Sequence, residues 1–305
     1  MNFSKLYDEF IELKSLKLKP QSLRSLKSRF ENYILPYFKN KNIEDITTND
    51  YIKWQKQIEK LGFKYSYKKQ LHYAFVSLYD FVAITKGYTI SIPKIIGNFR
   101  NDEIGNTINT WDYKDFKKFE NNFSNEDIIY KTFFVLLFRT GLRVGEALAL
   151  TFKDINNNIL HITKTLSKEY YDGQKIITSP KSRASIRSIK IDDYLLKCLN
   201  ELKEYYKKKF WSYTDNFNIF GGPKYISITT INRKKKYYCE LCNLQNIRIH
   251  DFRHSHATLL LQNGISMIEV SRRLGHSDIN MTIKTYAHCE KEYEKRVLET
   301  LNSLN

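Results

Sequence analysis

A chain of 305 residues, 42% of them hydrophobic, is long enough to bury two separate cores and excludes a disordered chain. Its 50 Lys and Arg against 33 Asp and Glu leave a formal net charge of +17, a field that gathers polyanions, so nucleic acid is the first partner to consider. No apolar run reaches the ~20 residues of a membrane span, and neither a signal-peptide core nor a lipidation pattern follows Met1, so a cytoplasmic chain with no membrane partner is expected.

The basic excess is spread along the chain. Residues 1–100 hold 18 Lys and Arg and 9 Asp and Glu, a net of +9, which leaves +8 for residues 101–305. An A·T-rich coding bias would also favour Lys, Asn, Ile and Tyr, so charge alone does not decide the partner.

Residues 1–90 read as helices on a 3.6-residue period. Leu6, Phe10 and Leu13 form one apolar stripe, and Leu23, Leu26, Phe30, Tyr33 and Ile34 form a second just after Pro20. Thr48 is placed to cap a third helix that ends at Gly62, and Ser66 a fourth that Gly87 closes. The exposed faces carry Lys14, Lys17, Lys19, Arg24, Lys27, Lys64, Lys68 and Lys69 with few carboxylates to balance them. A four-helix module that binds a phosphate backbone is the reading.

Residues 91–108 lose the period and contain Pro93, Gly97 and Gly105, which fits a linker. A second domain, 109–305, follows. Asp127 to Phe138 predicts an apolar helix, broken at Gly141 and resumed from Val144 to Leu150. Ile159 to Thr163 and Ile186 to Ile191 predict strands, with turns at Tyr170 to Gln174 and Ser179 to Lys181. Helices are expected over Tyr194 to Phe210, Phe252 to Gln262, Met267 to Leu274 and Ile279 to Ala287, and a tail helix over 290–305. The expected class is mostly α with one small antiparallel β-sheet.

Four cysteines stand at Cys198, Cys239, Cys242 and Cys289. Cys239 and Cys242 have the spacing of half a zinc site, but no second pair follows, so they read as reduced thiols on a helix and no metal is assigned.

The residues that carry chemistry lie apart in sequence. His250-Asp-Phe-Arg253, Leu274-Gly-His276 and Tyr286 gather near the C-terminus, and Thr140-Gly-Leu-Arg143 lies far upstream. Breaking a phosphodiester without a metal needs a nucleophile, a base, an acid for the leaving oxygen, and cations for the non-bridging oxygens. Tyr286 can attack, and His250 can take its proton. Arg143 and Arg253 can each present a planar fork to phosphate oxygens, which Lys cannot copy. Lys181, on a predicted turn, can protonate the departing 5′ oxygen, and His276 can donate a further hydrogen bond. Each residue alone has an ordinary explanation; the ordered set carries the argument.

That set, Arg143, Lys181, His250, Arg253, His276 and Tyr286, with Thr-Gly-Leu-Arg leading a helix, resembles the tyrosine recombinases, or phage-type integrases. The resemblance spans essentially the whole chain. It implies a SAM-like N-terminal core-binding domain and a catalytic domain of the DNA breaking-rejoining fold. It implies that Arg143 and Arg253 bind the scissile phosphate, that Lys181 is the general acid, and that Tyr286 forms a 3′-phosphotyrosyl link. Ser179-Pro-Lys181 fits the family's pattern best, with Lys164, Lys168 and Lys175 as alternatives in the same sheet region. Glu146 is expected to orient the Arg143 region, and Asp251 to support rather than react.

By the same resemblance no cofactor or metal is needed, and the partners are double-stranded DNA at core attachment sites and three further copies of the chain. Strands exchange in pairs through a Holliday junction, the tail after Tyr286 packs on a neighbouring subunit, and an excisionase or a host DNA-bending protein is the expected accessory. The core-binding helices start within the first few residues, so a mobile-element recombinase without a separate arm-binding domain is expected. A host chromosome-dimer-resolving recombinase, a type IB topoisomerase and a catalytically silent DNA-binding regulator are the competing readings.

Overall fold

The computed structural model describes residues 1–101, 109–171, 174–178, 180, 182–286, 298–299 and 301–304, with the backbone alone at 168–171, 174–176 and 183. The chain divides into two units, Met1–Asn106 and Thr107–Asn305.

In the first unit, α1 (Phe3–Ser15) starts on Asn2, whose side chain accepts a hydrogen bond from the Lys5 N–H. α2 (Pro20–Arg29) has Pro in its first turn, where a missing N–H costs nothing, and runs through a π turn at Phe30–Ile34 into α3 (Leu35–Phe38). α4 (Thr48–Lys60), α5 (Tyr65–Lys86) and the short α6 (Ile92–Ile96) complete it. The caps differ from expectation. Thr47, not Thr48, starts α4: its hydroxyl accepts from the Asp50 N–H while the Asp50 carboxylate accepts from the Thr47 N–H. α5 begins one residue before Ser66, after Lys64, with no side-chain cap.

The core of this unit is aromatic. Phe75 of α5 packs against Phe38 and Trp54 at ring-centroid separations of 4.9 and 5.4 Å. Ile92 and Phe99 are buried in the same core and α6 packs on α4 and α5, so ordered structure continues past residue 90, where the linker is expected to begin. Residues 102–108 of that linker lie outside the described residues.

In the second unit, α7 (Tyr113–Asn121) leads through a 3-10 turn to α8 (Ile128–Thr140). Gly141 ends α8 in the left-handed region (φ 65°), and α9 (Val144–Ala149) follows. The strands are β1 (Ile155–Asn156), β2 (Ile159–Ile162), β3 (Thr165–Tyr171), β4 (Gln174–Thr178) and β5 (Arg187–Lys190). They form two sheets rather than one. β1, β2 and β5 pair antiparallel in that order, with Ile159 opposite Lys190, while β3 and β4 form a separate hairpin, with Thr165 opposite Thr178. The hairpin closes locally and packs against α9, which leaves β2 to pair with the strand beyond it.

The remaining helices are α10 (Asp193–Lys209), α11 (Ile228–Leu241), α12 (Asp251–Gln262), α13 (Met267–Leu274) and α14 (Ile279–Tyr286). α8 is the central element, with six consecutive buried residues from Phe133 to Phe138. Phe134 stacks on Phe252 of α12 at 5.2 Å, and the Trp111 N–H donates to Ser255 on the same helix at 2.9 Å. A buried aromatic side chain contributes ~1.5–3 kcal/mol, so these contacts fix the helix that carries the site. The tail helix expected over 290–305 lies largely outside the described residues, which include helical Leu298, Glu299, Leu301 and Asn302. Among the described residues no helix is long and apolar enough to cross a membrane.

Candidate active site

Two glycine turns build the site. Gly141 ends α8 and Gly275 (φ 72°) ends α13. A Cβ on Gly141 would lie 2.6 Å from a Leu274 methyl and 2.7 Å from the His256 ring, so the two turns touch only because Gly141 has no side chain. Their carbonyls face the arginines. Arg253, 3% exposed on α12, donates through Nη1 to the Gly141 carbonyl at 2.7 Å and through Nη2 to the Leu274 carbonyl at 2.9 Å. Arg143 reaches the Gly275 carbonyl through Nη2 at 3.4 Å and pairs through Nη1 with Glu146 at 2.8 Å. Burial and the neighbouring Arg143 charge lower the Arg253 pKa from the usual guanidinium range to about 9, which leaves it a cation at neutral pH.

Glu146 anchors this pair. Its side chain is buried, accepts from the Arg143 N–H at 3.0 Å as part of the α9 capping box, and meets Arg187 Nη2 at 3.1 Å. Burial pushes the carboxyl pKa up, but the charge and hydrogen bond of Arg187, with the backbone and side-chain hydrogen bonds of Arg143, outweigh it and hold the group below its usual range. Arg187 also donates to the carbonyls of Arg273 and Ser185, at 2.8 and 3.1 Å, so it joins β5, α9 and the end of α13. Sequence reasoning names Arg187 only as part of a stretch and assigns it nothing; the contacts that tie it to the site, to Glu146 and Arg273, are non-local.

The histidines and the tyrosine occupy one side. Tyr286, at the end of α14, is 1% exposed and packs among Ala257, Leu261, Val270 and Leu274. Its hydroxyl lies 2.7 Å from Nδ1 of His254. His254 is the residue after Arg253, and sequence reasoning passes over it. His250, the base expected from sequence, stands at the N-terminus of α12 with its ring edge-to-face on His254, centroids 5.0 Å apart. His276 is held by Thr282, whose hydroxyl is 2.7 Å from Nδ1.

All three imidazoles are kept neutral at pH 7. Protein packed around His250 and the charge of Arg253 lower its pKa. Burial, then the adjacent His250, bring His254 to about 4; burial, then Arg253 and Arg143, bring His276 to about 4.

Lys181, and the side chains of Lys168 and Lys175, lie outside the described residues. Lys164, the fourth lysine considered, pairs with Asp154 at 2.8 Å. Asp251 accepts from the Arg248 backbone and guanidinium at 2.8 Å each, and so braces the turn that leads into α12. Cys239 and Cys242 are buried free thiols, and burial raises the pKa of both, Cys239 to about 11. Among the described residues no group of three or more His, Cys, Asp or Glu could hold a metal ion.

Two forked cations and a buried phenol, with neutral imidazoles beside them, make an arrangement that can carry out phosphoryl transfer of the strand-transferring kind. Comparison with known proteins places it further. Residues 108–293 match the model of the phage integrase family, and residues 2–58 that of the phage integrase N-terminal SAM-like domain. The ICEBs1 integrase of Bacillus subtilis (strain 168) is 30% identical over 312 residues, covering 100% of this chain and 83% of that protein. The integrase of Staphylococcus phage L54a is 31% identical over 178 residues, which span 54% of this chain and 49% of that protein. Among solved structures, the Tn1549 transposon integrase in complex with transposon right end DNA superposes with a TM-score of 0.78 at 18% identity, covering 99% of this chain and 100% of that one. A lambda integrase dimer bound to a core site gives 0.69 at 17% identity, over 93% and 95%. The chain belongs to the phage integrase family, the tyrosine recombinases, and is a site-specific recombinase of the mobile-element type.

Proposed function

We propose that the chain integrates and excises a mobile element by cutting and rejoining double-stranded DNA at core attachment sites through Tyr286. The phenolate oxygen attacks the scissile phosphorus, the bond to the 5′ oxygen breaks, and a 3′-phosphotyrosyl bond takes its place. The 5′-hydroxyl of a second strand then attacks that bond and releases the tyrosine. One ester replaces another at each step, so no ATP is required.

Arg143 and Arg253 hold the phosphate and take up the charge that gathers on it in the transition state. His250 and His276 donate hydrogen bonds to its oxygens, and Lys181 protonates the leaving 5′ oxygen. The observation that carries this reading is the pair of guanidinium groups fixed by the Gly141, Leu274 and Gly275 carbonyls on the unit that buries Tyr286.

Relatives support the assembly. The Tn1549 integrase has been solved with circular intermediate DNA, and lambda integrase as a tetramer bound to a Holliday junction. Four copies of this chain acting on two duplexes in the cytoplasm of a bacterium, with an excisionase or a DNA-bending protein as accessory, are the corresponding arrangement.

The test uses two labelled duplexes built on the repeats that flank the gene. A recombinase yields a four-way junction and recombinant products, along with a protein–DNA adduct on a nicked suicide duplex. An adduct with relaxation of plasmid but no junction would instead indicate a topoisomerase, and binding without an adduct would indicate a regulator.

A further inference from the structure

The proton of the nucleophile has a defined neighbour that the motif-based assignment does not use. Nδ1 of His254 lies 2.7 Å from the Tyr286 hydroxyl, with the two rings 5.7 Å apart at 54°. His250 packs edge-to-face on His254. The two helices that carry the pair are held together through α13: Ala257 and Leu261 of α12 share one buried cluster with Val270 and Leu274 of α13 and with Tyr286 itself. The hydrogen bond is therefore built by packing, and its partners are set by the fold.

We propose that His254 is the general base of the cleavage step, accepting the Tyr286 proton at Nδ1 as the phenolate oxygen attacks phosphorus. The inference rests on the reading of Tyr286 as nucleophile. The step balances. The O–H bond of Tyr286 breaks and an N–H bond forms at Nδ1, giving an imidazolium. The P–O bond to Tyr286 forms as the P–O5′ bond breaks. In rejoining, the imidazolium returns the proton to the departing phenol.

For this, His254 must carry its hydrogen on Nε2 and present the Nδ1 lone pair. It must also be neutral before the reaction, which its surroundings ensure. Burial, and then His250, Arg248 and Arg253, disfavour a charge there, against an opposing contribution from Asp251. Binding a phosphodiester anion beside Arg253 offsets that cation, so the ring becomes a better base when substrate is present.

Two measurements test the assignment. The first needs no DNA. In the whole protein labelled with ¹⁵N-histidine, two-bond ¹H–¹⁵N correlation should show His254 as the Nε2–H tautomer, with an Nδ1 shift that moves in Tyr286→Phe. An Nδ1–H tautomer, in which the ring donates to the tyrosine, would overturn the proposal.

The second uses a nicked duplex built on the repeats flanking the gene, with a 5′-bridging phosphorothiolate at the scissile position, because a thiolate leaves without an acid and the rate then reports on the nucleophile. In His254→Asn, which keeps an acceptor but cannot take a proton, cleavage should fall ~10²–10³-fold at pH 7. It should then rise about tenfold per pH unit towards pH 9, since a phenol of pKa ~10 is ionised about once in a thousand molecules at pH 7. His250→Asn, which removes a hydrogen bond to the phosphate, should lower the rate but leave the shape of the pH profile as in the wild type. The proposal fails if His254→Asn cleaves within threefold of wild type with an unchanged profile, or if the hydroxide-dependent profile belongs to His250→Asn. Unchanged DNA affinity and melting temperature serve as the folding control, and the tautomer of the wild-type ring decides the matter if the variant does not fold. Absence of any adduct in the wild-type protein would instead count against Tyr286 as nucleophile.

Discussion

Arg187→Met removes the outer half of the Arg143–Glu146–Arg187 chain and is the most searching test of how the site is held. The Arg187 and Glu146 side chains are 8% and 3% exposed and 3.1 Å apart, so the substitution leaves a buried carboxylate with one fewer partner. Loss of one partner from a buried pair costs ~3–5 kcal/mol. Arg143 remains at 2.8 Å, which places the expected loss near the lower end, about 3 kcal/mol, or a fall of roughly 6–12 °C in the melting of a unit this size. The pH dependence has a definite sign. In the wild type the Glu146 pKa is depressed, so its ionisation stabilises the fold above the unfolded value and the contribution disappears as pH falls through the folded one. Without Arg187, burial dominates and raises that pKa; the penalty is then largest at neutral pH and vanishes once the carboxyl is protonated. Calorimetry of wild type and variant at pH 7 and pH 4.5 should show the gap narrowing at the lower pH. An equal gap at both, or a fall of less than 2 °C at pH 7, would refute the reasoning.

Other consequences follow from the same contacts. Gly141→Ala places a Cβ within 2.7 Å of both Leu274 and His256 at positive φ, so the catalytic unit should lose ~2–4 kcal/mol in urea unfolding and cleavage should fall at least tenfold as the carbonyl that holds Arg253 shifts. Thr282→Val keeps the shape but removes the hydroxyl 2.7 Å from His276 Nδ1; single-turnover cleavage should drop about tenfold, roughly the worth of one such hydrogen bond, with DNA affinity unchanged. With both units basic, affinity for duplex DNA should fall ~10³-fold or more between 50 and 200 mM salt in a fluorescence titration; a flat response would contradict a phosphate-backbone contact surface.

Much of the candidate site is legible in sequence because its residues lie in short local motifs. Thr140-Gly-Leu-Arg143 and Leu274-Gly-His276 each combine a glycine turn with a phosphate-seeking side chain, and both prove to be helix ends whose carbonyls hold arginines. What was missed depends on distant partners. His254 acquires meaning only from Tyr286, on another helix, and Arg187 only from Glu146 and Arg273. α11 escapes a periodicity search because Lys235 occupies an inward position between Ile231 and Tyr238. It is buried there with its ammonium bonded to Asn246 and the Ile247 carbonyl, and burial lowers its pKa. The Thr47 cap was available: Thr47 and Asp50 have the three-residue spacing of a capping box, which Thr48 lacks.

The central claim is that Tyr286 becomes covalently joined to the 3′ end of the cut strand. Peptide mapping by mass spectrometry of the adduct trapped on a nicked suicide duplex, built on the repeats flanking the gene, tests it most directly. The account predicts a nucleotide-bearing peptide modified at Tyr286 and no adduct from Tyr286→Phe. A phosphonucleotide on any other residue, or an undiminished adduct in that variant, would contradict it.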